Sequence, residues 1–140
     1  MRSLILVLLA AQLGTSAAGA DIKIHIIDGK SGKPIANEHL LVFEGDSAKA
    51  VKRHQHHVDL HTDSDGTAAL PNDDMHWLQV WVDGHRSCQP ATEPAVYSAK
   101  TIQQSGLVSS NTCGSFSQSV LPNELYVFVR RETFIEKMRH

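Results

Sequence analysis

Residues Ile22 to Asn37 read IKIHIIDGKSGKPIAN and carry the clearest structural signal in the chain. Over the first residues, Ile22, Ile24 and Ile26 alternate with Lys, His and Ile, a period of two that is typical of a half-buried β-strand. Residues 28–34 then concentrate Asp, Gly, Ser and Pro, which are the residues that form tight turns. A strand followed at once by a tight loop predicts that this part of the chain is β-structure.

Similar segments with turn signals between them follow along the chain. Further strands are predicted at His39–Phe43, His57–Thr62, Thr67–Leu70, Met75–Val82, Arg86–Gln89 and Leu125–Arg130. Residues 98–105 are predicted to form a short helix that Ser98 begins and Gly106 ends. Residues 47–56 are expected to be a surface loop, with or without a helical turn, and residues 132–140 one or two turns of helix or a frayed end.

Many short strands with turns about every 8–12 residues, and almost no helix, are typical of a β-sandwich or a barrel. We expect the sandwich, an antiparallel arrangement of about seven strands with one short helix and one disulfide, because two strands are apolar on both faces. Within it, His57–Thr62 and Thr67–Leu70 are expected to form a hairpin. Its tight turn, Asp63–Gly66, would place Gly66 at positive φ.

Two segments resemble the carboxypeptidase regulatory-like, transthyretin-like family of β-sandwich domains. Residues 26–37, IIDGKSGKPIAN, are similar to its strand, Asp-x-x-x-Gly-x-Pro loop and second strand entered by a small residue. Residues 62–70, TDSDGTAAL, are similar to its Thr-Asp-x-x-Gly turn. The resemblance covers about residues 22–82, whereas the C-terminal half, with Cys88, Cys113 and residues 128–134, departs from the family pattern.

The resemblance implies a non-catalytic module of exported proteins that supports folding, adhesion or ligand contact. Two catalytic relatives of similar architecture have motifs that this chain lacks. Hydroxyisourate hydrolases end in Tyr-Arg-Gly-Ser, whereas this chain ends in EKMRH, residues 136–140. Intradiol dioxygenases bind iron through two Tyr and two His, and Tyr97 and Tyr126 do not have the expected spacing. Fold alone would not establish a function in any case.

The N-terminus has the three parts of a secretory signal peptide. Arg2 supplies a positive charge, Leu4–Ala11 a short apolar run, and Ala18–Ala20 a small-x-small cleavage site. Cleavage near Ala20 would leave a single domain, residues 21–140. The apolar run is shorter than the roughly 20 residues that span a bilayer. A cleaved signal peptide is therefore favoured over the alternative, an uncleaved membrane anchor. The sequence therefore predicts a secreted or periplasmic protein with no membrane span after cleavage.

The charge balance argues against nucleic acid as a partner. The chain has 13 Lys and Arg against 15 Asp and Glu, a formal net charge of −2, and no run of basic residues. Nucleic-acid-binding domains instead carry a basic patch or stripe. The expected partner is an unknown protein or a carbohydrate.

The two cysteines, Cys88 and Cys113, are predicted to form a disulfide, because an exported chain meets an oxidising compartment. The bridge would contribute about 3.5 kcal/mol in the chain-entropy model. The alternative is a pair of thiolate metal ligands. A separation of 25 positions without a Cys-x-x-Cys partner disfavours it.

A histidine-rich segment is the most distinctive chemical feature. It contains His54, His56, His57 and His61, with Asp59 among them. On a strand, His57, Asp59 and His61 point to one face, and successive same-face residues lie about 6.6 Å apart. His54 and His56 would add ligands from the loop, which makes a Zn²⁺ or Cu²⁺ site one interpretation. The simpler interpretation is a solvated face of an edge strand.

Trp77 and Trp81 share one face of the strand Met75–Val82 with Gln79. We expect them to pack in the core or under the C-terminal half, because an aromatic side chain buries a large area. The alternative is an exposed platform for a sugar or a partner protein.

The turn Asp63–Gly66 does not match a calcium loop, since His61 stands where the first Asp belongs and no Glu follows at the twelfth position.

No nucleophile elbow, P-loop or dinucleotide fingerprint occurs in the chain. Taken together, the sequence predicts an exported, non-catalytic β-sandwich that acts as a binding or accessory module and uses no cofactor. A periplasmic or extracellular protein that binds Zn²⁺ or Cu²⁺ through the histidine segment is the first alternative. A small hydrolase whose Ser, His and Asp meet only in space is the second.

Overall fold

The computed structural model describes residues 20–72, 75–93 and 95–139. The predicted signal peptide, residues 1–20, lies outside these ranges except for Ala20 and stays a prediction. Within the described ranges the chain forms nine strands and three short helices. They are β1 (Ile22–Asp28), β2 (His39–Gly45), α1 (Ala48–Val51), β3 (His57–His61), β4 (Thr67–Leu70), β5 (Trp77–Val82), β6 (His85–Ser87), β7 (Tyr97–Ser98), α2 (Ala99–Ser105), β8 (Leu107–Val108), β9 (Glu124–Arg131) and α3 (Phe134–Lys137).

The strands form two sheets that share one hydrophobic core. The first sheet has the order β4-β1-β9-β6, with β8 also beside β9, and the second has the order β3-β2-β5-β7. Apolar side chains from both sheets meet between them, including Ile22, Ile24, Ile26, Leu40, Val42, Leu78, Val82, Leu125, Val127 and Val129. The chain is therefore mostly β, and its two sheets around one core fit the predicted β-sandwich.

Strand β1 has the predicted period of two, and Ile22, Ile24 and Ile26 are fully buried. Each such side chain contributes about 2 kcal/mol when it leaves water. The loop that follows is held by Asp28, whose Oδ1 accepts the N–H groups of Lys30 at 2.9 Å and Ser31 at 2.8 Å. The hydrogen bond from Ser31 is the main reason that the pKa of the Asp28 carboxyl is lowered.

The prediction of a wholly antiparallel sandwich with about seven strands and one helix is wrong in two respects. Strands β7 and β8 have two residues each, too few for a repeating pattern to reveal them, and α1 and α3 are helices of four residues. In addition, β9 pairs parallel to both β1 and β8. A period of two is the same in parallel and antiparallel strands, so alternation could not distinguish them.

The predicted hairpin is also wrong, although its turn is correct. Gly66 has φ 73°, and Asp63 Oδ1 accepts the N–H groups of Asp65 and Thr67. However, β3 pairs with β2 and β4 pairs with β1, so the chain changes sheets at this turn. The reason lies in tertiary packing: the N–H of Ile26 donates to the Gly66 carbonyl, which docks the turn beside β1.

Helix α2 confirms the predicted Ser98 start and Gly106 stop. The Ser98 side chain accepts from the Thr101 N–H, and Gly106 has φ 73°. At seven residues, α2 is the longest helix in the described ranges, and no helix there is long and apolar enough to cross a membrane.

The predicted disulfide is confirmed, with the Cα atoms of Cys88 and Cys113 5.5 Å apart. It fastens residues 109–118 to the end of β6. The Cys88 N–H donates to the Phe128 carbonyl at 3.0 Å, and the Thr112 N–H donates to the Cys88 carbonyl at 2.9 Å. The C-terminal half of the chain is thereby tied to the middle of the first sheet.

Candidate functional site

Three strands of the second sheet turn a polar and aromatic surface to solvent. Strand β2 lies between β3 and β5, with His39 opposite His61 and Leu41 opposite Trp81. Because side chains alternate across a strand, Leu40 and Val42 enter the core while their odd-numbered neighbours point outward. We call the outward set the outer face: His39, Leu41, Phe43, His57, Asp59, His61, Gln79, Trp81 and Asp83.

His39 lies between two carboxylates of the outer face. Its Nε2 is 2.8 Å from Asp59 Oδ1, and its Nδ1 is 2.6 Å from Asp83 Oδ2. A protonated imidazole can donate through both nitrogens at once, whereas a neutral one donates through only one. The hydrogen bond to Asp83, followed by the bond to Asp59, therefore raises the pKa of His39 above its usual value.

Two further histidines extend this polar group. His57 Nε2 is 3.4 Å from Asp59 Oδ2, and the His61 ring lies 5.1 Å, centroid to centroid, from that of His39. All of the outward side chains of β3 are exposed. The expectation that His57, Asp59 and His61 share one face of a strand is therefore confirmed.

An aromatic group adjoins the histidines. The Phe43 ring centroid lies 4.3 Å from that of His54 and 4.8 Å from that of Trp81, and the His54 and Trp81 centroids are 4.7 Å apart. His54 also hydrogen-bonds Gln79 Oε1 through its Nε2 at 2.9 Å. Phe43 is buried in this group, but Trp81 remains 46% exposed. Trp81 is thus held by two rings and still accessible.

The expectation that both tryptophans are buried is wrong for Trp81. Trp77, on the same side of β5, is half-buried opposite Gly45 and next to Ser98 of β7. Trp81 lies four positions after Trp77 on an extended strand, so their Cα atoms are about 13 Å apart. They therefore do not form one continuous platform, and only Trp81 belongs to the exposed aromatic surface. The alternation of side chains along the sequence could show that Trp77 and Trp81 share a face of β5, but not which loops cover that face.

The five residues predicted as metal ligands do not gather at one point. His54 packs on Phe43 and Trp81, Asp59 is shared by His39 and His57, and His56 is exposed. In the part of the chain that the structure describes, no three His, Cys, Asp or Glu side chains are placed to hold a metal ion. The positive φ of His54, 52°, helps to turn its ring back over the sheet.

A cleft of about 440 Å³ opens beside Trp81, where the free edges of the two sheets face each other. Its lining is apolar in depth, with Val80, Val82, Tyr97, Val127 and Val129, and polar at the mouth, with Gln79, Asp83, His85, Arg86 and Glu132. Burial raises the pKa of Tyr97 to about 12, and its hydroxyl donates to Gln89 Oε1 at 3.0 Å. A volume of this order is typical of small-ligand sites.

The backbone of β5 also contributes to the cleft. The Asp83 N–H donates to the His39 carbonyl, so the odd-numbered residues of β5 bond to β2. Bonding alternates along an antiparallel strand, and Val80 and Val82 therefore direct their N–H and C=O groups to the opposite side. On that side, β7 pairs only with Trp77 and Leu78. The remainder of this edge faces the cleft.

On the other sheet, Thr67, His25 and Glu124 stand in a row. The Thr67 hydroxyl is 3.1 Å from His25 Nδ1, but His25 Nε2 is 3.8 Å from Glu124 Oε1, too far for a hydrogen bond. Burial lowers the pKa of His25, which stacks on Tyr126 with ring centroids 4.2 Å apart. The row lacks the second bond that orients the base of a hydrolytic triad.

His39 and Asp83 are the titratable residues of the outer face that sequence reasoning missed. His39 begins an apolar segment and Asp83 forms a turn, so each has an ordinary structural explanation. The available signal was register: once β2 is placed between β3 and β5, His39 falls opposite His61.

Comparisons with family models, with curated proteins and with solved structures find no match to this chain.

Proposed function

We propose that this chain is a non-catalytic binding or accessory module of the transthyretin-like, carboxypeptidase regulatory-like type that acts outside the cytoplasm. Two sheets around one core support this proposal, as do the two turns that carry the resemblance. The Cys88–Cys113 disulfide is typical of proteins in oxidising compartments. Residues 1–20 would be its cleaved signal peptide, and residues 21–140 the module.

The exposed Trp81 is the observation that carries the proposal. Its ring is fixed by Phe43 and His54, so a ligand that stacks on it would not have to order a mobile side chain. Leu41 lies beside it on β2, Asp59 lies beyond Leu41 on β3, and Asp83 follows two residues after Trp81. An immobilised aromatic ring with hydrogen-bonding groups around it is suited to a ligand that has both an apolar and a polar side.

A carbohydrate fits this chemistry best. The C–H face of a sugar ring would stack on the Trp81 indole, while its hydroxyls would donate to the carboxylates of Asp59 and Asp83 or to Gln79. Each of these groups is at the surface and needs no rearrangement to be reached. The cleft at the edge of the face would accept an additional sugar unit or a substituent.

Affinity electrophoresis through gels that contain a panel of soluble polysaccharides tests the proposal. We expect at least one polysaccharide to retard the protein, and Trp81→Ala to weaken that retardation at least tenfold. Trp77→Phe is the matched control, because Trp77 lies on the same strand outside the exposed group, and it should behave like the wild type. Absence of retardation by every polysaccharide, or equal retardation of Trp81→Ala, would contradict the carbohydrate proposal.

A protein partner that contributes an extended segment is the second candidate, and the free edge of β5 favours it. Such a segment would pair with the backbone of Val80 and Val82 and place side chains in the cleft. Peptides selected from a displayed library should lose affinity for Val80→Pro, which removes one edge N–H but no bond to β2. Selected peptides that bind this variant unchanged would argue against strand addition.

The metal-binding alternative stays a proposal with less support, since His54 packs on Phe43 and Trp81 while Asp59 is shared by His39 and His57. Isothermal titration with Zn²⁺ or Cu²⁺ would test it against a His57→Ala/His61→Ala double variant. Equal affinity in both proteins would exclude these histidines as ligands. The hydrolase alternative, in which Ser, His and Asp meet only in space, gains no support from the row Thr67–His25–Glu124, which lacks one hydrogen bond.

A further inference from the structure

Helix α3 exposes three large apolar side chains that play no part in the outer face or the cleft. Phe134 is 76% exposed, Ile135 65% and Met138 69%. On a helix, positions three and four residues apart are neighbours, so Phe134 and Ile135 both adjoin Met138. The three side chains therefore form one apolar surface.

This exposure is not the result of a frayed end. Thr133 and Glu136 form a capping box, in which the Thr133 side chain accepts the Glu136 N–H and the Glu136 side chain accepts the Thr133 N–H. Glu136 also binds Arg130 through two hydrogen bonds, of 2.7 Å and 3.2 Å. These bonds from Arg130 hold the pKa of Glu136 at about 2, so it is ionised at neutral pH. The helix is thereby fixed to β9 with its apolar side outward.

The charges around this surface are positive. Lys137, the last residue of α3, and Arg139, just after it, are exposed and form no ion pair within the described ranges. The two acidic residues of the segment, Glu132 and Glu136, face Arg86 and Arg130 instead. The side of α3 that meets solvent thus combines apolar side chains with unneutralised cations, a combination that suits the surface of a membrane with anionic lipids.

We propose that Phe134, Ile135, Lys137, Met138 and Arg139 form a docking surface for an anionic lipid membrane. The apolar side chains would enter the interfacial region, and the cations would contact lipid phosphates. Four helical residues are far too few to span a bilayer, so the protein would lie on the membrane. Attachment through so small an apolar area depends on the charges, and it is expected to be reversible and sensitive to salt.

Sedimentation of the protein with lipid vesicles tests this proposal. Vesicles of phosphatidylcholine alone are compared with vesicles of equal parts phosphatidylcholine and phosphatidylglycerol, at about 0.1 M and about 1 M salt. We expect binding to the mixed vesicles at low salt, and at least tenfold weaker binding at high salt or without the anionic lipid. Failure to bind mixed vesicles at low salt would overturn the proposal.

Two variants separate the contribution of the apolar side chains from that of the cations. Phe134→Ser/Ile135→Ser/Met138→Ser should weaken vesicle binding at least tenfold, because it removes the inserted groups and leaves the bonds of Glu136 in place. Lys137→Gln/Arg139→Gln should weaken it about 25-fold, since each cation contributes roughly fivefold near an anionic surface. The matched control, Lys49→Gln/Lys52→Gln, removes two exposed charges elsewhere and should bind like the wild type.

Equal loss in the control variant would show a non-specific charge effect and overturn the assignment to α3. Light scattering distinguishes a protein contact: an oligomer that dissociates in the serine variant, without vesicle binding by the wild type, would assign the surface to a second copy. Trp81→Ala should bind vesicles normally, so this result does not depend on the ligand of the outer face.

Discussion

His39 shows how much of the outer face depends on a single residue. It bridges Asp59 of β3 and Asp83 at the end of β5, and thus links three neighbouring segments through one ring. Its raised pKa has a consequence for stability. A group whose pKa is higher in the folded protein stabilises the fold fully below its unfolded pKa, about 6.5, and loses that contribution as pH rises through the folded value.

His39→Asn should therefore lower the melting temperature more in mildly acidic than in alkaline solution. Below about pH 6 the wild type gains from a protonated His39 that binds both carboxylates, whereas this gain is lost in alkaline solution as the pH rises through the raised pKa. Thermal unfolding at the two pH values, followed by circular dichroism, measures this difference. His56→Asn is the control, because His56 is exposed and lacks these partners, and an equal loss at both pH values for His39→Asn would contradict the bridge.

Among the local elements, the end of α2 depends on Gly106, both for its positive φ and for the lack of space for a side chain there. Gly106 has φ 73°, and a Cβ there would collide with the Leu121 carbonyl oxygen. Gly84, in the turn between β5 and β6, has a similar φ of 68°, but a Cβ at this position would meet no other atom within 4 Å. Both positions thus have a positive φ, which is costly for a residue with a side chain, and only Gly106 adds a collision.

Gly84→Ala should lower the free energy of unfolding by about 1–2 kcal/mol, the cost of a left-handed conformation with a Cβ. Gly106→Ala should lower it by about 3 kcal/mol or more, because overpacking adds to that cost. Urea denaturation of both variants measures the two values side by side. Similar losses in the two variants would mean that the segment around Leu121 moves aside easily.

For the protein as a unit, the disulfide is the strongest single constraint on the C-terminal half. It connects Cys88, after β6, to Cys113, in a loop that contacts Gly29 at the end of β1. Since the chain between them forms only the short elements β7, α2 and β8, the bridge takes over part of the stabilisation that longer strands provide elsewhere.

Cys88→Ser/Cys113→Ser should lower the free energy of unfolding by about 3.5 kcal/mol, the loop-closure entropy for a bridge of this span. Urea unfolding of the wild type with and without a reducing agent gives an independent measure. The reduced wild type and the double variant should agree, and the variant itself should not respond to the reducing agent. A reduced protein as stable as the oxidised one would contradict this role.

Local patterns predicted most of the strands and the ends of α2, because alternation, turn residues and caps act within a few positions along the chain. They also indicated correctly that His57, Asp59 and His61 share a face. They failed where two segments distant in sequence meet: the parallel β1–β9 pair, the change of sheet after Asp63 and the exposure of Trp81.

The residues alone thus determined the class of fold, the disulfide and the turns at Gly32 and Gly66, since these follow from side-chain chemistry and backbone freedom. Only the tertiary structure decided which histidine lies at the centre of the outer face and which tryptophan remains accessible. Both depend on the register of β2 between β3 and β5 and on how the chain after α1 folds over the sheet. Contacts between distant segments set that register, and no short stretch of sequence specifies it.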